Sequence, residues 1–171
     1  MAITIIGYRG TGKTTVGREL AQRLGWDYID IDPEIEQQAG KTIAAIFRDD
    51  GEPRFRDLES SELSRQLQKG KIVVSAGGGA ILRDENRWQM QQAGPVIWLT
   101  AEIETIAIRL ASDPSTQERR PALTNRDVLS EIQDVLVRRL PLYEAAATII
   151  VRTDHRSPQS IVDEILTQLP E

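Results

Sequence analysis

The sequence predicts an α/β fold in which a five-stranded parallel sheet is flanked by helices on both faces. Its 171 residues fit one domain, so we expect a single domain over residues 1–171. Short apolar runs rich in β-branched residues alternate with helical patterns, as in parallel sheets covered on both sides. A glycine-rich loop also lies between the first apolar run and the first helical pattern.

The strands are predicted where apolar, β-branched residues lie between polar or glycine boundaries. These runs are Ile3 to Ile6, Tyr28 to Ile31, Ile72 to Val74, Val96 to Leu99 and Thr148 to Val151. Helical periodicity occupies the intervals between them and the end of the chain. The predicted helices are Lys13 to Leu24, Arg54 to Leu67, Asp84 to Gln92, Glu102 to Ala111, Asp127 to Ala146 and Pro158 to Gln168.

Two segments interrupt this alternation. Residues 32–71 are long enough for several helices, and we expect a helical insertion that begins with Asp32 as its N-cap and Pro33 as its first helical residue. Residues 112–125 are polar and lack an apolar period, which predicts a surface segment. We call residues 112–125 the lid segment, because closure of such a segment over a site excludes water.

The composition excludes several classes of protein. A net charge of −5 argues against broad nucleic-acid binding. The chain has no cysteine and one histidine, His155, which excludes disulfides, thiol nucleophiles and two-histidine metal motifs but not a hard metal bound by oxygen. No apolar run approaches the length of a membrane span, and residues 1–6 lack the basic region of a signal peptide, so we expect a cytoplasmic protein.

The segment from Gly7 to Thr14 has the pattern of glycine, four residues and Gly-Lys-Thr, and it follows a strand and precedes a helix. Backbone N–H groups of such a loop and the start of the next helix bind phosphate oxygens. Lys13 then contacts the β- and γ-phosphates, and the Thr14 hydroxyl binds Mg²⁺. A nucleoside triphosphate with magnesium is therefore the predicted ligand.

Two further groups of residues follow predicted strands, where ligands of parallel sheets collect. Asp30 and Asp32 end the second strand, and we expect Asp30 to orient Mg²⁺, because the third strand ends at Ser75 without a metal-binding aspartate. Gly77, Gly78 and Gly79 come next, and three residues without a Cβ permit close backbone approach to a second ligand.

Together these residues resemble shikimate kinases, which are small P-loop phosphotransferases of the nucleoside-monophosphate-kinase group. The resemblance runs from Ile3 to the last helix and rests on motifs that occur in the family's order. After the phosphate loop these are Asp30 and Asp32, Phe55-Arg56, Gly77 to Gly79, Arg120-Pro121, Arg139 to Tyr143, and Arg156-Ser157-Pro158.

The resemblance implies a three-layer P-loop kinase fold and transfer of the γ-phosphate of ATP to the 3-hydroxyl of shikimate. It implies that catalysis rests on Lys13, Asp32 and Arg120. The nucleotide-binding residues would be Gly10, Thr11, Gly12, Lys13, Thr14, Thr15, Arg109, Arg120, Arg156 and Pro158. The shikimate-binding residues would be Asp32, Phe47, Phe55, Arg56, Gly77, Gly78, Gly79 and Arg139, with Arg56 and Arg139 on the carboxylate.

Other functions stay open at this point. A kinase for another sugar-like acid, such as gluconate, would share the phosphate loop and the lid segment. A nucleotide-binding switch would need neither Asp32 nor Arg120. An interaction module would use an exposed Trp26 or Trp88, although we expect both to be half-buried, and we expect a monomer.

Overall fold

The computed structural model describes residues 1–113 and 125–170 and contains one sheet of five parallel strands. The strand order is β2-β3-β1-β4-β5. The strands are β1 (Ala2–Ile6), β2 (Asp27–Asp30), β3 (Ile72–Ser75), β4 (Val96–Thr100) and β5 (Ile149–Arg152). The predicted number and direction of strands in the sheet are thus confirmed.

The helices lie between the strands along the chain. They are α1 (Lys13–Leu24), α2 (Ile31–Ala39), α3 (Ile43–Leu67), a 3₁₀ turn (Ala80–Leu82), α4 (Asp84–Ala93), α5 (Ile103–Ser112), α6 (Asn125–Ala146) and α7 (Pro158–Gln168). Most of the lid segment, including Arg120, lies outside the described residues. None of the helices in the described ranges has the length and apolar character to cross a bilayer.

The sheet separates two apolar cores. On one face Ile3, Ile5 and Val73 pack with buried residues of α1 and α7. On the other face Ala2, Ile6 and Val74 pack with α2, α3, α4 and α6. Successive residues of a strand point to opposite faces, so one continuous apolar run supplies both cores and holds the three layers together.

The boundary between β2 and α2 differs from the prediction, and the difference concerns the site. The strand ends at Asp30, and Ile31, predicted to be the last strand residue, begins the helix and is fully buried. The N-cap is therefore Asp30 and not Asp32, because the Asp30 carboxylate accepts the Asp32 N–H at 3.3 Å. Pro33 is the third helical residue, where its missing N–H is still not needed.

The insertion contains α2 and a helix longer than the predicted one. α3 begins at Ile43 and is broken at Gly51, whose φ of 83° and ψ of 164° are not helical. Pro53 then lies in the first turn after the break, where proline is tolerated. The expectation for Trp88 is wrong, because 62% of it is exposed, whereas Trp26 is partly buried against the core as expected.

Candidate active site

The glycine-rich loop is held by backbone conformations that other residues rarely adopt. Gly7, Gly10 and Gly12 have φ values of 148°, 78° and 98°. A Cβ built on Gly7 would lie 2.6 Å from the Leu99 carbonyl oxygen. The Thr11 hydroxyl donates to the Tyr8 carbonyl at 2.8 Å inside the loop. The loop is therefore preformed at the carboxyl end of β1, with α1 starting directly after it.

Lys13 lies in the curve of this loop. Its Nζ donates to the Gly7 carbonyl at 2.9 Å and to the Tyr8 carbonyl at 3.0 Å. Burial lowers the pKa of Lys13 to about 8, although Asp32 and Asp30 act in the opposite direction. The aspartates at the end of β2 are thus close enough to affect the ammonium group, as their position after the strand predicts.

The Thr14 hydroxyl donates to Asp30 Oδ2 at 3.2 Å and thereby joins the first turn of α1 to the end of β2. Hydroxyl and carboxylate oxygens are the ligands that Mg²⁺ prefers, together with water and substrate phosphates. Residues 1–113 and 125–170 hold no cluster of three or more carboxylate or histidine side chains arranged for a metal. Thr14 and Asp30 fit a magnesium ion that takes its remaining ligands from phosphate and water.

Gly77 separates two carboxylates at the end of β3. A Cβ built there would lie 2.9 Å from Glu59 Oε1 and 3.0 Å from Asp32 Oδ1. Both contacts are shorter than normal packing distances, so any larger residue would push these groups apart. The glycine is needed because Asp32 from α2 and Glu59 from α3 both approach the backbone here.

Arg56 is held beside the same glycine turn by Glu59. Arg56 Nη1 donates to Glu59 Oε2 at 2.7 Å, and a Cβ on Gly79 would lie 2.4 Å from the guanidinium nitrogens. Glu59 is 1% exposed, and burial raises its pKa while Arg56 opposes the shift. Sequence reasoning missed Glu59, although the spacing from Arg56, three residues on one helix face, is a usable signal.

A second arginine approaches the turn from α6. Arg139 Nη1 and the Tyr143 hydroxyl both donate to the Gly78 carbonyl, each at 2.9 Å. Trp98 stacks on the Tyr143 ring with centroids 5.3 Å apart, and burial raises the pKa of Tyr143 to about 12. Sequence reasoning treated Tyr143 as part of a motif only, but its hydroxyl helps to fix the central peptide of the turn.

Two phenylalanines lie on the insertion side. The ring centroids of Phe47 and Phe55 are 4.8 Å apart, with Phe55 buried and Phe47 38% exposed. The Arg56 guanidinium lies 5.0 Å from the Phe55 ring centroid. The two rings thus place apolar surface beside Arg56.

Arg109 contacts the middle of the glycine-rich loop. This side chain donates to the Gly10 carbonyl at 3.1 Å and to the Thr153 hydroxyl and carbonyl at 3.0 Å each. Arg156 is also engaged, with its nitrogens on the Arg152 and Ser160 carbonyls and on Glu164. The flat faces of these guanidinium groups are the surfaces that could stack on a base.

The comparisons with known proteins agree on one family. The family model described as shikimate kinase matches residues 9–170. The shikimate kinase of Rhodopirellula baltica is 42% identical over 166 residues, which are 97% of this chain and 89% of that protein. The shikimate kinase of Symbiobacterium thermophilum is 42% identical over 171 residues, which are 100% of this chain and 97% of that protein.

The chain belongs to the shikimate kinase family. It is therefore an ATP-dependent phosphotransferase, and the family and function implied by the sequence motifs are confirmed.

Solved structures agree with this assignment. A shikimate kinase from Acinetobacter baumannii in complex with shikimate has a TM-score of 0.87 and 34% identity, covering 97% of this chain and 90% of its own. The enzyme from Bacteroides thetaiotaomicron has a TM-score of 0.91 at 28% identity, covering 98% and 97% of the two chains. A gluconokinase from Sinorhizobium meliloti, at 18% identity and a TM-score of 0.59, shares the fold over 97% of this chain and 89% of its own.

Proposed function

We propose that this chain binds ATP on the glycine-rich loop and shikimate on the glycine turn, and that it phosphorylates the 3-hydroxyl to give shikimate 3-phosphate and ADP. The observation that supports this division most directly is the pair of arginines at the Gly77 to Gly79 turn, with Arg56 beside Gly79 and Arg139 on the Gly78 carbonyl. Two guanidinium groups suit one carboxylate, which shikimate carries.

The donor half consists of the loop and the residues behind it. Backbone N–H groups of the loop and the start of α1 bind the phosphates, and Lys13 neutralises charge on the β- and γ-phosphates. Arg109, Arg156 and Pro158 bind the adenine end. Thr14 and Asp30 hold magnesium, which lowers the charge repulsion against the attacking oxygen when bound.

The acceptor half presents a carboxylate clamp and an aspartate. Arg56 and Arg139 bind the carboxylate, and Phe47 and Phe55 line the ring. Asp32 accepts a hydrogen bond from the hydroxyl that attacks the γ-phosphate and orients it in line. The Asp32 carboxylate raises the pKa of Lys13 against the effect of burial, so the two groups are close enough to act on the same reacting phosphate and hydroxyl.

Arg120 in the lid segment neutralises charge on the transferred phosphate in this proposal, which rests on the sequence motif because the residue lies outside the described range. Removing one such charge costs transition-state stabilisation. Arg120→Ala is expected to lower kcat by about a hundredfold or more, with the KM for shikimate nearly unchanged. A normal kcat in steady-state assays would remove Arg120 from the mechanism.

The direct test is a coupled assay of ADP release from Mg-ATP with shikimate, gluconate or no acceptor, and identification of the phosphorylated product. Shikimate-dependent release with little release in its absence is expected. Arg139→Ala is expected to raise the KM for shikimate by about thirtyfold or more, because a charged pair is lost, while the KM for ATP stays unchanged. Stimulation by gluconate and not by shikimate would contradict the acceptor assignment.

We further propose a single-domain cytoplasmic monomer with residues 32–71 as the substrate-binding insertion, residues 112–125 as the lid segment, and no nucleic-acid partner. The acidic net charge of −5 supports the last point. Light scattering after size exclusion is expected to give the chain mass of 19.1 kDa at all concentrations. A mass that doubles with concentration would contradict the monomer.

A further inference from the structure

Arg9 is the one exposed residue of the glycine-rich loop. Among residues 7–14, all of which the structure describes, the others are buried or partly buried. The pattern of this loop leaves position 9 open to any residue, so the motif alone gives Arg9 no role. An arginine on a phosphate-binding loop is nonetheless a candidate ligand, because a guanidinium group matches phosphate in charge and in hydrogen-bond geometry.

The backbone on both sides of Arg9 is fixed. Before it, the Tyr8 ring is buried against α5 and α6, and the Tyr8 carbonyl accepts the Thr11 N–H at 3.4 Å. After it, Gly10 has a φ of 78°, and its carbonyl accepts Arg109 at 3.1 Å. These residues form a turn with Arg9 and Gly10 at its centre. Arg9 therefore projects from a part of the loop whose position does not depend on a ligand.

The same turn holds the Lys13 ammonium group. Lys13 Nζ donates to the Tyr8 carbonyl at 3.0 Å, and one peptide unit joins this carbonyl to residue 9, so the Arg9 Cα lies within about 6 Å of the ammonium nitrogen. Burial lowers the pKa of Lys13 most, and the Arg9 guanidinium lowers it further. Two cations of one loop thus lie close together, and an anion that binds between them relieves their repulsion.

The neighbours of the loop indicate which phosphate Arg9 contacts. The loop meets Arg109, a proposed adenine residue, at Gly10. It meets the proposed acceptor turn at Gly7, whose carbonyl oxygen would lie 3.5 Å from a Cβ built on Gly78. Arg9 lies between these two points along the chain. Since the backbone N–H groups of such a loop bind the α- and β-phosphates, the γ-phosphate is left for a side chain at this position.

We propose that Arg9 binds the γ-phosphate of ATP beside Lys13 and thereby favours the triphosphate over ADP. ADP has no γ-phosphate, so the contact is lost on transfer and does not hold the product on the loop. The inference rests on the ATP-binding half of the proposed function and not on shikimate as the acceptor. It adds to the loop a second cation that the motif does not contain.

The test measures the dissociation constants of ADP and of AMP-PNP, an ATP analogue that is not hydrolysed, by calorimetry on the full chain at one Mg²⁺ concentration. Arg9→Gln removes the charge and keeps a polar side chain, whereas Arg9→Lys keeps the charge. Arg23→Gln is the matched control, because it also removes one positive charge. Arg23 lies in the last turn of α1, at the far end from the loop, and forms an exposed ion pair with Asp163.

Arg9→Gln is expected to weaken AMP-PNP binding about tenfold or more, the effect of one hydrogen bond to a charged group, and to change ADP binding less than about twofold. The retained ADP binding also shows that the variant is folded. Arg9→Lys is expected to recover most of the loss, and Arg23→Gln is expected to change neither constant. The loss in Arg9→Gln is expected to shrink between about 0.05 M and 0.5 M KCl, because salt screens exposed charges.

Equal losses for AMP-PNP and ADP would overturn the inference, because Arg9 would then act on the inner phosphates or on the shape of the loop. An unchanged dissociation constant for AMP-PNP would overturn it as well. A chain that shows the expected loss but transfers no phosphate to shikimate would contradict the acceptor assignment and support the contact of Arg9. A chain that binds neither nucleotide would contradict both.

Discussion

At the scale of single residues, the ammonium of Lys13 is more easily deprotonated than that of an ordinary lysine. Burial lowers its pKa to about 8, and phosphate binds best when the group is charged. We therefore predict that the ADP dissociation constant rises above pH 8, by up to tenfold for each pH unit. Calorimetry at pH 7, 8 and 9 measures this, and Lys13→Met is expected to show no such slope.

Without ADP, the free energy of unfolding is expected to rise over the same pH range in which ADP binding weakens. The folded pKa of Lys13 lies below its ordinary value of 10.5, so the unfolded chain binds more protons between pH 8 and pH 10.5. Stability then rises with pH over this window as far as Lys13 contributes. A free energy of unfolding that falls between pH 8 and pH 10 in the absence of ADP would contradict this role of burial.

Glu59 is the residue that we expect to control Arg56. Glu59→Gln is predicted to raise the KM for shikimate about tenfold or more, because the ion pair that orients the guanidinium is lost. The change in kcat is expected to be smaller than the change in the KM for shikimate. Glu62→Gln is a matched control, since Glu62 is the next buried glutamate on α3 and pairs with Arg65 away from the glycine turn.

The pH dependence distinguishes orientation of Arg56 from general stability. Burial raises the pKa of Glu59 above 4.5, so as pH falls this carboxylate is protonated earlier than an exposed glutamate and loses its ion pair. The KM for shikimate should then rise towards acid pH in the unchanged chain and less so in Glu59→Gln. Equal acid limbs in steady-state assays would exclude Glu59 as the titrating group.

At the scale of secondary-structure elements, Asp154 joins the end of β5 to the start of α5. Its Oδ1 accepts the Glu102 N–H at 2.9 Å, and its Oδ2 accepts Arg152 Nε at 2.9 Å. Burial alone would raise the pKa of Asp154, but these donors and Thr105 outweigh it and lower the pKa to about 2. The ionised carboxylate therefore stabilises the folded state.

Asp154→Asn is predicted to lower the free energy of unfolding by about 2 kcal/mol at pH 7, from the shift between pKa 3.8 and about 2. This contribution is present above pH 4 and disappears as pH falls towards 2, so the two chains converge there. Urea unfolding at pH 7 and pH 3 measures the difference. Asp163→Asn, which removes an exposed ion pair with Arg23, is expected to change stability by less than about 1 kcal/mol.

Elements with strong local signals were predictable from the sequence, and those that depend on distant contacts were not. The boundaries of α1 and α7 match the predicted ones, and those of α4, α5 and α6 differ by one or two residues. The insertion was predicted to be helical without bounds for α2. The upstream part of α3 was missed because its broken pattern at Gly51 hides the period. Asp30 was not recognised as a cap because the strand and the helix meet without a loop.

The same distinction applies to the site. The glycine-rich loop is a local pattern with a fixed mechanism, so Lys13 and Thr14 were found from spacing alone. Tyr143 acts through a hydrogen bond to Gly78, 65 residues away along the chain, and the approach of Glu59 to Gly77 spans 18 residues, although the pairing of Glu59 with Arg56 is local. Such contacts depend on how α3 and α6 pack against the sheet, which no local period encodes.

At the scale of the whole molecule, the strand order explains why the two halves of the site meet. β3 lies between β2 and β1, so its glycine turn is next to both the aspartates and the glycine-rich loop. After β1 the chain runs through α1 to β2, towards one edge of the sheet. After β3 it runs through α4 to β4, towards the other edge. Ligands of such sheets bind where these directions diverge.

This arrangement predicts that the two ligands stabilise the fold through separate groups. ADP contacts residues of β1 and α1, whereas shikimate contacts residues of α3, α6 and the glycine turn in the proposed site. A ligand at 100 times its dissociation constant adds about 2.7 kcal/mol to stability. For a chain of 171 residues that raises the unfolding temperature by roughly 5–10 °C.

Thermal unfolding with each ligand should therefore separate the halves. Lys13→Met is predicted to lose most of the shift caused by ADP and to keep the shift caused by shikimate, and Arg139→Ala is predicted to do the reverse. Loss of both shifts in either variant would contradict separable halves and would mean that one ligand orders the site of the other. Since Asp32 and Gly77 lie at the junction, such coupling would pass through the Asp32 carboxylate, which leaves no room for a side chain at this glycine.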